Sequence, residues 1–247
     1  MTSVRAETNP GSLWHTVIPI GRHGSVKVEE KAALLVEFVR KEKRFRLFAA
    51  IPPDFDYQYG YHMGAMMTDA VLQAGLNWET TVRPRALRVQ REYPEARTLS
   101  GFLKLLQSGD PGKVIDWKHH EKIGRLIGAT QFFAEEHVDT ASDLRSWLET
   151  PGNPDRLQRV RGIGKKTVDY LSMQVGIDTN APDRHLSKFL ALAAVETSGY
   201  EETRAIINQA ADLLRVDRKL LDFSIWKFVS DCAKKLRGRC LSPIAWL

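Results

Sequence analysis

Arg159-Val160-Arg161-Gly162-Ile163-Gly164-Lys165-Lys166-Thr167-Val168, followed by Ala181-Pro182-Asp183-Arg184-His185, is the stretch from which this chain can be read. Asn153-Pro154 reads as the N-cap and first residue of a short helix, with Leu157 and Val160 on its inner face. Gly162 and Gly164 interrupt it, and two glycines flanking one aliphatic residue permit a tight turn with exposed backbone. A second helix follows from Lys165 to about Val175, with Val168 and Leu171 inward and Gly176 at its end. Its first turn carries unpaired N–H groups and the positive end of the helix dipole. A phosphate can sit there, and Lys165 and Lys166 add positive charge beside it. A nucleotide-binding phosphate loop fails on spacing: Lys166 follows Gly164-Lys165 where Ser or Thr is needed, and position 159 is Arg159.

Outward from this stretch the apolar period is helical almost throughout, which predicts an all-α fold. Met63, Met66, Met67, Ala70 and Val71 form one buried stripe, with Gly75 as a stop. Thr98 reads as an N-cap ahead of Leu99, Phe102, Leu103 and Leu106, and Thr140 to Asp143 as a capping box. Further stripes run over Ile123 to Phe133 and over Ile206, Ile207, Ala210, Leu213 and Leu214. A last helix from near Asp217 buries Leu221, Ile225, Trp226, Val229 and Ala233. Met and aromatic stripes are read as core packing. The segment from Thr16 to Val28, with Gly21-Arg22-His23-Gly24 inside, predicts a small β-hairpin.

The chain has 247 residues and a formal charge of +6, with basic stretches at Arg83, Arg85, Arg88, Arg91 and Arg97, around the glycine turn, and from Lys227 to Arg239. That balance suits a polyanionic partner. Cys232 and Cys240 are the only cysteines, which excludes a disulfide scaffold or a four-cysteine zinc or iron–sulfur site. A reducing, cytoplasmic setting follows as the expectation. No apolar run approaches the roughly 20 residues of a membrane span, and the first residues lack the apolar core of a signal peptide.

The glycine turn with Asp183 spaced 17 residues after Lys166 resembles the helix-hairpin-helix DNA glycosylase superfamily, which includes endonuclease III. Val71 to Trp78 and Glu92 to Leu99 sit where that family has its early helix pair and Pro-containing bend, so the likeness covers about residues 62–236. The sequence departs from the family at three places. Arg161 replaces the proline before the first glycine, Pro182-Asp183-Arg184-His185 replaces Val-Asp-Thr-His, and the cluster cysteines of the endonuclease III branch are missing. Gly75 falls near the branch's helix-inserting glutamine. The resemblance implies two lobes with DNA between them: a helical barrel over residues 62–178, and a second lobe made of residues 1–61 and 179–247.

It also implies base-excision repair on double-stranded DNA holding a damaged base or abasic site, by a monomer acting in the cytoplasm (nucleoid-associated) or in a nucleus. Lys166 would be the amine that attacks the sugar and forms a Schiff base, giving AP lyase (β-elimination) activity. Asp183 would stabilise positive charge growing on the deoxyribose. Arg161, Gly162, Ile163, Gly164, Lys165, Thr167 and His185 would contact DNA. No iron–sulfur cluster is expected, and a monovalent cation at the hairpin is a family expectation. Other readings stay open at this point. Lys166 can be a phosphate contact, Asp183 a helix N-cap, and the glycines mere turn residues. The protein would then be a non-catalytic DNA-binding module, or a monofunctional glycosylase using Asp183 and water.

Overall fold

The computed structural model describes residues 27–238, with side chains to Lys234. The expected β-hairpin and Cys240 lie outside these residues. The chain is all-α: among the described residues there are twelve α-helices and no strand. In order they are α1 (Val28–Lys41), α2 (Met63–Leu72), α3 (Arg83–Glu92), α4 (Leu99–Ser108), α5 (Pro111–Val114), α6 (His120–Glu135), α7 (Ala141–Glu149), α8 (Asn153–Leu157), α9 (Lys165–Gln174), α10 (Arg184–Leu192), α11 (Tyr200–Leu214) and α12 (Arg218–Gly238). None is long and apolar enough to cross a membrane.

Two hydrophobic cores organise these helices. The larger gathers side chains from Tyr57 to Ala181, with α2 at its centre. All ten residues of α2 are buried, so it is a helix enclosed on every side rather than an amphipathic one. The smaller core joins Ala32, Leu35 and Val36 of α1 to Leu186, Phe189, Ile206, Ile207, Leu221 and Ile225 of α10, α11 and α12. Phe189 sits in an aromatic knot of this core, with its ring centroid 5.3 Å from Phe38 and 5.5 Å from Phe228.

Local signals set the helix ends. Thr98 Oγ1 accepts the Gly101 N–H, and Thr140 with Asp143 forms a reciprocal capping box. A Cβ at Gly101 would lie 1.9 Å from the Glu95 carbonyl oxygen, so this turn of α4 admits only glycine. Three expectations shift. Gly152, at φ +85°, caps α8, so Asn153 is the first helical residue and its amide donates to the Trp147 carbonyl. Leu213 points outward at 45% exposure, while Leu214 is half-buried against the smaller core. Trp226 is only half-buried and Ala233 is exposed; both line a cavity instead of a core.

Candidate functional site

The turn between α8 and α9 takes its shape from two residues. Gly162 adopts φ +85°, and a Cβ there would strike the Arg125 side chain at 2.4 Å. Ile163 plugs the larger core at 5% exposure, so only its backbone reaches the surface. Gly164 is different: its backbone is extended (φ −112°, ψ 177°), and a Cβ would meet nothing within 4 Å. It caps α9, its carbonyl accepting the N–H groups of Thr167 and Val168. Arg161, Gly162, Gly164 and Lys165 are exposed, and Thr167 is half-buried. Lys165 Nζ is held 2.6 Å from Glu201 of α11. Residues 158–164 carry no carboxylate, so the cation implied by the resemblance would have only backbone carbonyls and the Gln158 side-chain amide oxygen. The backbone carbonyls of Val160 and Gly164 already accept amides.

Lys166 projects from the first turn of α9, and its Nζ lies 3.6 Å from Asp183 Oδ2. Asp183 is the N-cap of α10: Oδ1 accepts the N–H of His185 at 2.7 Å and of Leu186 at 3.2 Å. His185 Nδ1 stands 3.1 Å from Oδ2. Burial alone would raise the Asp183 carboxyl, but the His185 ring, the Lys166 ammonium and the His185 amide outweigh it and bring it down to about 2. Asp183 is therefore an ionised acid with one face turned to a lysine. The structure thus brings together Lys166, Asp183 and His185, and leaves the hairpin residues as an adjoining surface.

These three residues border a cavity of about 420 Å³ that lies between the two cores. Its walls are aromatic. Phe55 stacks on Trp78 at 6.2 Å and meets Trp226 edge-on at 5.8 Å, while Phe223 lies on Trp226 at 5.9 Å. Lys234 of α12 pairs with Glu79 across the cavity rim. Two acids lie deeper. Asp69 is fully buried and accepts from Tyr59 Oη at 2.8 Å, Tyr170 Oη at 3.0 Å and Trp78 Nε1 at 3.1 Å. Burial pushes its carboxyl up to about 6, against those three donors. Asp222 of α12 lines the cavity and accepts the Ala181 N–H at 2.9 Å. Burial and the nearby Asp183 charge push it up to about 7, while the Ala181 amide opposes the shift.

Sequence reasoning did not reach Asp69, Asp222 or the aromatic box. One signal was present for each acid. Asp69, with Thr68 before it, breaks an otherwise apolar run from Met63 to Leu72, and Asp222 stands between Leu221 and Phe223. A lone acid in such a setting has to be satisfied or kept neutral. The arginine stretch also resolves differently from a free polyanion surface. Arg85 pairs with Asp116, and Arg88 pairs with Glu92 and donates to the Lys113 carbonyl.

A family model described as a domain of unknown function (DUF8548) matches residues 126–230. That span runs from within α6 into α12 and holds the glycine turn, Lys166, Asp183 and Asp222, but not α2 or Trp78. Among curated proteins none matches the chain.

Proposed function

We propose that this protein is a base-excision DNA glycosylase with associated AP lyase activity. One observation carries the reading: a primary amine and an ionised acid, 3.6 Å apart, stand at the edge of a cavity walled by aromatic rings. An extruded base needs such a slot, because leaving the helix stack costs a few kcal/mol that stacking on side chains offsets. Asp183 faces the sugar and stabilises the positive charge that develops at C1′ as the glycosidic bond lengthens. The Lys166 amine, once unprotonated, attacks C1′, and the base departs with the electrons of the broken bond. Loss of a proton from the new nitrogen and opening of the sugar ring give a Schiff base. Removal of a C2′ proton then expels the 3′ phosphate. The hairpin supplies the backbone grip, with the amides at the start of α9 and the Lys165 charge facing a phosphate.

The test is borohydride trapping on duplex DNA carrying an abasic site and on a panel of oxidised, deaminated, alkylated and mismatched bases. Wild type yields a covalent adduct and Lys166→Gln yields none. An adduct undiminished in Lys166→Gln removes the lyase assignment. A second reading has its own support. Asp183 is fixed as an anion by two backbone amides whether or not Lys166 attacks. A monofunctional glycosylase would use that charge with water as the nucleophile, and base release without strand cleavage would identify it. Salt-sensitive DNA binding with neither product would leave a non-catalytic binding module.

A further inference from the structure

The cavity holds polar groups that the chemistry above does not use. Asp222 Oδ2 takes the Ala181 N–H, and no side chain among the described residues donates to that carboxyl. Tyr57 lines the same cavity at 6% exposure, and its hydroxyl is buried with no hydrogen-bond partner. The amide nitrogen of Gln73, another lining residue, is likewise unpartnered. Those two atoms are sealed from the cavity, whereas the Asp222 carboxyl is half-buried and keeps its second oxygen without a side-chain partner among the described residues. Phe55, Trp78, Phe223 and Trp226 pack on one another and wall the cavity with aromatic surface, and Asp222 supplies a polar edge beside them.

We propose that Asp222 is a specificity-determining residue that reads the hydrogen-bonding edge of a base seated in the cavity, accepting bases whose edge presents a ring nitrogen beside an exocyclic group. This rests on the glycosylase reading and names what its pocket recognises. A carboxyl group can donate through its O–H and accept through its C=O at once, matching the paired donor and acceptor of such an edge. Holding its proton close to neutral pH, as its burial makes it do, Asp222 is able to act in that form. A base whose edge nitrogen carries a methyl group cannot make the pair, however well it stacks.

The test separates recognition from chemistry. The full-length protein is bound to a duplex carrying a tetrahydrofuran abasic analogue, which leaves the base slot vacant and cannot react. Equilibrium dialysis then measures retention of uracil against 3-methyluracil and of hypoxanthine against 1-methylhypoxanthine. At least one unmodified base is expected to bind tenfold or more tighter than its methylated partner. Asp222→Leu erases that preference, and Asp222→Asn keeps it because an amide also donates and accepts. Thermal melting confirms that each variant is folded. Equal retention of both methylated and unmodified pairs, or a preference intact in folded Asp222→Leu, overturns the proposal. Borohydride trapping on abasic DNA is run in parallel. Trapping without base preference sinks this inference alone, whereas base preference without trapping sinks the lyase reading alone.

Discussion

Asp183 does two jobs, and a single substitution separates them. Its Oδ1 caps α10 through two amides, while Oδ2 meets His185 and Lys166. Asparagine is an equally good N-cap, so Asp183→Asn retains the helix and removes only the charge. Melting near neutral pH is expected to drop by at most the loss of one ion pair, about 2 kcal/mol. Base release is expected to fall about a hundredfold or more, in single-turnover assays on whichever lesion the panel identifies. Similar losses in both would make Asp183 structural alone. At this scale the pairing of Lys166 with Asp183 came from the family resemblance, since spacing alone shows only a lysine and an acid flanking one helix and loop. The roles of Asp69 and Asp222 were not legible. Whether an acid is buried depends on helices dozens of residues away, and a stripe of aromatic residues looks the same whether it fills a core or walls a slot.

Among the elements, the hairpin glycines differ in what they tolerate. Gly162→Ala forces a left-handed backbone onto an L-residue and drives its Cβ into Arg125. A stability loss of about 1–3 kcal/mol is expected in denaturant melts. Gly164→Ala meets no obstacle within the chain, so melting should hardly change. DNA affinity should nonetheless fall, because a methyl group would stand where a phosphate approaches the start of α9. Unchanged binding in Gly164→Ala would argue against backbone recognition at this turn. In α4 the comparison runs differently: Gly101→Ala sets a carbon 1.9 Å from a backbone oxygen that cannot move without unmaking the bend before it. It should cost about 3 kcal/mol, seen as a lowered melting temperature. Helices and caps were the most legible level of this fold, since Thr98, Thr140 and Asp183 announce their roles within four residues. The one-residue slip at Asn153 came from Gly152, whose left-handed turn takes the cap position ahead of a better-known capping side chain.

Across the molecule, buried Asp69 and half-buried Asp222 tie stability to pH. In the unfolded chain both ionise near pH 4, but in the fold Asp222 keeps its proton up to about 7 and Asp69 up to about 6. A carboxyl with a raised folded pKa weakens the fold as pH rises through that window. Asp222→Asn is therefore expected to match wild type near pH 4 and to exceed it by roughly 2–4 kcal/mol at pH 8, in thermal melts across that range. Asp183 acts oppositely: its contribution is complete above about pH 4 and is lost as pH falls toward 2. A variant advantage that does not grow with pH would place Asp222 in a wetter setting than the cavity indicates. The overall helical character follows from apolar period alone. The slot between the two cores does not, because its walls come from the segment before α2, the turn after it, α9 and α12, and no short window of sequence holds them together.

The segment joining α9 to α10 is short and pinned at each step. Asn180 donates to the Arg204 carbonyl of α11, Ala181 to Asp222 of α12, and Asp183 closes the first turn of α10. One hydrogen bond from Ala181, itself two positions before Asp183, thus ties the acid at the floor of the slot to the acid at its mouth. On the proposed reading this works as a gauge. A ring seated firmly against the floor brings its sugar level with the mouth, and one that perches too high holds its sugar out of register and leaves unharmed.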